Sequence, residues 1–261
     1  MKILISDAFD PALPSKLEAF GEVTDEKERL AEVDVVLVRS KTKCTRDYID
    51  QAKNLRLIIR GGVGLDNIDV EYARSKGIQV FNTASASAVA VAELAFALMI
   101  AVPTRIVEGH IGLTQREWLK KQLKRTELMG KTLGLIGAGN IGTELARRGI
   151  GFGMRVIAFD PLLKSHECVD LVTIEELFAE SDYISLHVPL TDTTKAMINS
   201  DTIGQMKDGV VILNTARGGC VDEEDMVEAL KSGKVRAYAT DVWYSDPPDP
   251  NCPLLKRRMS L

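Results

Sequence analysis

At 261 residues, with 45% hydrophobic and 27% charged side chains, the chain has the composition of a folded globular protein and length for two modest domains. Its formal net charge of −4 gives no general attraction for nucleic acid or an anionic membrane, and no stretch reads as an apolar run long enough to span a bilayer. Cys44, Cys168, Cys220 and Cys252 are far apart and form no CxxC pair, so neither a zinc site nor a disulfide framework is indicated and no metal is expected. The N-terminus reads as a strand without a signal peptide's apolar region, which makes a reduced cytoplasmic setting the simplest expectation.

Short apolar runs predict strands at 2–6, 33–38, 57–59, 79–81, 132–136, 155–159, 183–186, 210–214 and 237–241. Amphipathic stretches predict helices at 14–20, 70–76, 141–150, 174–178 and 223–232. This alternation predicts an α/β protein of two doubly wound parallel-sheet domains, divided at 97/98. The first cycle stops near Val80, and the apolar stretch 84–107, unbroken until Pro103, reads as a helix leading from one domain to the other. Residues 105–129 are polar and basic around Trp118. A solvated connection is the default reading, and an arm reaching a second subunit is the alternative.

The strand 132–136 runs directly into Gly137-Ala138-Gly139-Asn140-Ile141-Gly142, and a helical pattern starts at once. Gly137 permits a tight turn, Gly139 lets backbone approach a pyrophosphate, and Gly142 lets helix pack closely on strand. A helix start presents free N–H groups and partial positive charge to phosphates. The next strand ends in Asp160, about 20 residues on, where a carboxylate accepts from a ribose 2′-OH and repels a 2′-phosphate. The second domain is therefore read as a Rossmann NAD-binding domain, with NAD favoured over NADP and FAD a lesser alternative.

With Asp160-Pro161, His187-Val188-Pro189-Leu190 and Asn214-Thr215-Ala216-Arg217-Gly218-Gly219 added, the chain resembles the D-isomer-specific 2-hydroxyacid dehydrogenases from residue 1 to about Leu255. Val38-Arg39-Ser40, the run Arg60 to Asp69, Val91-Ala-Glu-Leu94 and Val221-Asp-Glu223 make it most similar to the branch that oxidises 3-phosphoglycerate. Other 2-hydroxyacids, such as glycerate, glyoxylate or lactate, stay open. Residues 1–97 would then bind substrate and residues 98–261 bind NAD. The residues support this independently. Arg39 and Arg60 each follow an apolar strand, where ligands of α/β sheets bind, and two guanidiniums suit a phosphate. The alternative is a pair of surface arginines in ion pairs. Gly61, Gly62 and Gly64 around Val63 form a turn whose amides can grip an anion.

The resemblance implies that Arg217 binds the substrate carboxylate and polarises the C2 oxygen, and that Asp241 holds the nicotinamide carboxamide. It places Val188, Thr194, Thr215 and Ala216 along the cofactor, with His187 packing or hydrogen bonding in the same pocket. It further implies a small-molecule 2-hydroxyacid substrate that carries a phosphate, and a homodimer. The family's chemistry uses a histidine as proton acceptor and a glutamate that orients it. Asp246 falls at the glutamate's position and reads equally as a turn acid. The histidines are His110, His166 and His187, none at the expected place after Leu255, where the chain reads Lys256-Arg-Arg-Met-Ser-Leu261. The expectation is thus of a last strand and a return segment that are missing, and of reduced stability. NAD binding would be intact, with loss of acid–base help worth roughly 10²–10⁴-fold, so that a non-catalytic NAD(H)-binding protein is the second reading.

Overall fold

The computed structural model describes residues 1–245 and 247–255. They divide into two compact units, one from Met1 to Ser87 and one beginning at Ala88, ten residues before the division expected from sequence.

The first unit contains β1 (Lys2–Ile5), α1 (Leu13–Leu17), β2 (Glu22–Thr24), β3 (Val35–Val38), α2 (Arg46–Gln51), β4 (Leu57–Arg60), α3 (Val70–Ser75) and β5 (Gln79–Asn82). Its strands form one parallel sheet in the order β2-β1-β3-β4-β5. All four residues of β3 are buried, as expected for a central strand covered on both faces. One face packs Leu4, Val36, Val38 and Ile58 against Ile49 and Ala73, and the other packs Ile3, Val35 and Leu37 against Phe9, Leu13 and Leu17. Residues 27–32, mostly polar in sequence, form a 3₁₀ segment that delivers Leu30 to the core.

From the unit boundary run α4 (Ala84–Thr104) and α5 (Ile106–Thr114). The second unit continues with β6 (Thr132–Ile136), α6 (Asn140–Gly151), β7 (Arg155–Phe159), β8 (Asp170–Leu171), α7 (Ile174–Glu180) and β9 (Tyr183–Leu186). It is completed by α8 (Ser200–Gln205), β10 (Val210–Asn214), α9 (Glu223–Ser232) and β11 (Val235–Thr240). The order β11-β10-β9-β6-β7-β8, parallel throughout, is the six-strand order of a dinucleotide-binding sheet. Helix starts follow local chemistry. Thr173 and Glu176 make a reciprocal capping box on α7, and Asp222 caps α9, which closes on Gly233 at φ 79°.

Two sequence expectations change. α4 is 21 residues long with a mean hydropathy of 2.0, so by length and composition it is sufficient to cross a membrane, contrary to the sequence reading. Its Ala92, Ala95, Met99 and Val102, spaced by three and four, belong to the core of the second unit beside Leu133 and Leu135, which accounts for one face of the apolar run; 28% of that run is buried. Pro103 lies in the last turn, and Arg105 at φ 51° separates α4 from α5. Residues 105–129 are therefore not a plain connection: α5 and the following turn expose Ile106, Leu113 and Trp118, the last 72% accessible.

Candidate active site

In the first unit the strand order reverses between β1 and β3, and open α/β sheets bind ligands beyond the carboxyl ends at such a switch point. β1 runs into Asp7 and β3 into Arg39. The Asp7 carboxylate accepts the Arg39 backbone N–H at 2.6 Å, the Thr42 N–H at 3.2 Å and the Thr42 hydroxyl at 2.7 Å. Asn67 donates from the other side to the carbonyls of Arg39 and Thr42, at 2.7 and 2.6 Å. Burial pulls the Asp7 carboxyl upward, but the Thr42 hydroxyl and the two amides outweigh it and hold the group below the ordinary carboxylate value. The loop carrying Arg39 and Ser40 is thus fixed through its backbone, while both side chains are exposed and the Arg39 guanidinium donates to the Ala8 carbonyl at 3.3 Å.

Arg60 ends β4 and pairs in register with Val38, so Arg39 and Arg60 stand at the ends of neighbouring strands. The Arg60 guanidinium folds over Gly62, where a Cβ would fall 1.6 Å from Nη1 and φ is 139°. The Gly61 amide donates to the Val38 carbonyl and the Gly62 amide to Thr83 Oγ1, at 2.8 and 2.9 Å, and Asn82 donates to the Val63 carbonyl at 2.6 Å. In the turn read from Gly61, Gly62 and Gly64 around Val63, the Gly61 and Gly62 amides are thus satisfied inside the unit, and Gly62 makes room for the arginine.

In the second unit, Gly137 has φ +97° and a Cβ there would lie 2.6 Å from the His187 carbonyl. A Cβ at Gly142 would lie 2.3 Å from the Gly137 carbonyl, whereas one at Gly139 meets nothing within 4 Å. Asn140 and Ile141 open α6, no side chain caps that end, and the open space at Gly139 adjoins its amides. Asp160 accepts from the Ala138 and Leu162 amides, at 3.0 and 2.9 Å, with Pro161 exposed beside it. A bare glycine turn, an uncapped helix start and a fixed carboxylate at the neighbouring strand end are what a dinucleotide's pyrophosphate and ribose require.

His187 leaves β9 with its amide on the Ile136 carbonyl and Nε2 beside Ser185 Oγ at 2.9 Å, and burial pushes its ring down to about 4, which keeps it neutral. Val188 packs against the core, and Thr194 closes the next loop by donating to the Pro189 carbonyl at 2.6 Å. Beyond β10, Asn214 Nδ2 donates to the Arg217 carbonyl and the Tyr238 hydroxyl, and Asn214 Oδ1 accepts the Ala216 amide. Arg217 Nη1 donates to the Ala216 carbonyl at 2.6 Å. Thr215 is buried with Oγ1 unpaired among the described residues. Asp241 follows β11 at the same sheet edge. It keeps a solvent-facing surface, yet desolvation by the protein around it raises its carboxyl. Asp246 lies outside the described residues. Because the strands are parallel, the loops after β6, β7, β9, β10 and β11 share one edge. Sequence reasoning missed the supports: Asp7, Asn67 and Thr83 in the first unit, Asn214 in the second. Asp7, Thr83 and Asn214 are short polar residues at or beside strand ends, which is the signal that marks them, whereas Asn67 lies in the loop between β4 and α3 and carries no such signal.

The family described as "D-isomer specific 2-hydroxyacid dehydrogenase, NAD binding domain" matches residues 96–260, more than half of the chain. The chain belongs to the D-isomer-specific 2-hydroxyacid dehydrogenase family. Hydroxypyruvate reductase of Thermotoga maritima is 54% identical to this family member over 220 residues, covering 84% of the chain and 72% of that protein. D-3-phosphoglycerate dehydrogenase of Methanocaldococcus jannaschii is 45% identical over 268 residues, covering 98% of the chain. The chain spans 51% of that dehydrogenase, about half its length. Among solved structures, D-lactate dehydrogenase of Aquifex aeolicus, complexed with NAD and lactic acid, aligns at TM-score 0.83 with 31% identity, over 94% of this chain and 78% of that one. NAD is the cofactor of this dehydrogenase family member, and the glycine turn with Asp160 has the shape to receive it.

Proposed function

We propose that this chain oxidises a phosphorylated D-2-hydroxyacid, 3-phosphoglycerate, to its 2-keto acid, and that the pair Arg39 and Arg60 at adjacent strand ends reads the phosphate. Bound NAD would supply the acceptor for the C2 hydride, and the hydroxyl proton would leave to solvent. In this reading Gly137, Gly139 and the start of α6 hold the pyrophosphate, and Asp160 holds the adenosine ribose. Val188, Thr194, Thr215 and Ala216 border the cofactor, Asp241 orients its amide, and Arg217 binds the substrate carboxylate and stabilises charge on the C2 oxygen. His187 stays neutral and braces the glycine turn. Among the described residues His110, His166 and His187 sit in α5, against Thr143 and against Ser185 respectively, so none of them is assigned the hydroxyl proton. The exposed Ile106, Leu113 and Trp118 support pairing of two copies through α5.

The test compares substrates. Arg60→Ala should lower kcat/KM for 3-phosphoglycerate at least tenfold more than for D-glycerate, since a charged hydrogen bond is worth about 1.5–3 kcal/mol. Equal losses on both acids overturn the phosphate assignment. The similarity to hydroxypyruvate reductase favours the second reading, an unphosphorylated hydroxyacid. Under it, the parent chain prefers glycerate and Arg60→Ala changes both rates alike.

A further inference from the structure

The loop that follows Asp160 is stitched to α6 by side chains. His166 accepts the Cys168 backbone N–H on Nδ1 at 3.3 Å, which places the ring proton on Nε2. Nε2 lies 2.9 Å from Thr143 Oγ1 in the first turn of α6, so the ring donates to the hydroxyl. The hydroxyl in turn donates to the Ala138 carbonyl at 3.3 Å. One turn along, Arg147 pairs with Glu167 and also with Glu144. Ala138 is the residue between the two glycines that approach the pyrophosphate, and its N–H is held by Asp160. Both polar groups of this one residue are therefore gripped from the loop 160–168, the N–H directly and the carbonyl through Thr143.

We propose that His166 is a positioning residue for NAD, acting through Thr143 on the Ala138 peptide and so on the glycine turn and the Asp160 carboxylate together. The relay has a direction, from Cys168 N–H through the ring and hydroxyl to the carbonyl: the N–H on Nδ1 fixes the tautomer, and the ring N–H on the hydroxyl oxygen leaves the hydroxyl proton aimed at the carbonyl. Removing the ring frees the Thr143 hydroxyl to turn away and releases the segment between Asp160 and Cys168 from α6. The Ala138 peptide in the proposed cradle then gains freedom that binding has to remove. The inference rests on reading Gly137–Gly142 and Asp160 as the cofactor cradle.

The experiment titrates NADH, and separately ADP, into the full 261-residue chain by fluorescence and calorimetry, with melting temperature measured alongside. His166→Ala and Thr143→Val should each raise the Kd for both ligands about three- to tenfold, the equivalent of one hydrogen bond. The double variant should be no worse than the weaker single one, because the two act in one chain. His166→Gln, whose Nε2 reaches the same place, and Thr143→Ser should bind within about twofold of the parent. If His166→Ala binds as the parent while Gly139→Val has lost NADH, the cradle stands and the positioning role falls. If Gly139→Val also binds normally, the cradle reading itself is wrong. If His166→Ala fails to fold, the Thr143→Ser and Thr143→Val pair decides: equal affinities overturn the relay.

Discussion

The Asp7 carboxylate holds the backbone N–H of Arg39 at 2.6 Å, joining the ends of the two strands between which the first sheet reverses its order. The same carboxylate takes two further hydrogen bonds from Thr42, so the loop that presents Arg39 is oriented by a residue that itself never needs to touch substrate. Asp7→Ala should raise KM for the phosphorylated acid by roughly tenfold, one charge-assisted hydrogen bond or a little more, with a smaller effect on kcat. A change in kcat with KM untouched would show that the loop has another role. The stability effect has a defined pH window. The native carboxyl lies below the ordinary value, so its contribution is complete above the unfolded pKa, about 3.9, and disappears as pH falls through the native value. The difference in melting temperature between parent and Asp7→Ala should be constant above about pH 5 and shrink below about pH 4.

Gly139 and Gly142 should separate binding from folding. A methyl at Gly139, where φ is −72°, meets nothing in the protein, and losing a glycine at a helix cap costs at most about 1 kcal/mol. Gly139→Ala should melt within a few degrees of the parent and yet lose NADH affinity by an order of magnitude or more. At Gly142 the gain in helix propensity, about 1 kcal/mol, is smaller than the strain of a Cβ 2.3 Å from the Gly137 carbonyl, which typically costs 1–3 kcal/mol. Gly142→Ala should lower both melting temperature and affinity. Identical behaviour of the two variants in melting and titration would refute this division.

His187 predicts an acid-sensitive second unit. Its ring is pushed down to about 4 by burial, against an ordinary value near 6.5. The unfolded chain takes up a proton as pH falls below about 6.5 while the folded chain refuses it until about 4, so stability falls across that interval and rises with pH. The full effect is at most of order 3 kcal/mol. His187→Gln, which can still meet Ser185, should flatten the slope of melting temperature against pH between 4 and 6.5. An unchanged slope would mean that the ring is hydrated or protonated in the native state.

Legibility followed the length and burial of each element. β6, β7, β9 and β10 fall where the sequence predicts them, because three to five consecutive buried, mostly apolar residues leave little choice of boundary. β2 and β8, with three and two residues, carry too little pattern to be seen. α9 is predicted to the residue because Asp222 and Gly233 bracket it, whereas α2 and α8, six residues each, have little apolar periodicity to offer. α4 followed its apolar run as far as Pro103, but α5 was hidden in a polar and basic segment.

The sequence by itself determined the second sheet's glycine turn, the acid at the following strand end, and the arginines that close β4 and follow β3, since each depends on residue type and on distance along the chain. Tertiary structure alone decided that Asp7 grips Arg39 across 32 positions, that Gly62 makes room for Arg60 and not for an anion at its own amide, and that His166 reaches Thr143 across 23. Hydrogen bonds between loops depend on which strand ends become neighbours. That is set by the order in which parallel strands pair, and no local pattern encodes it.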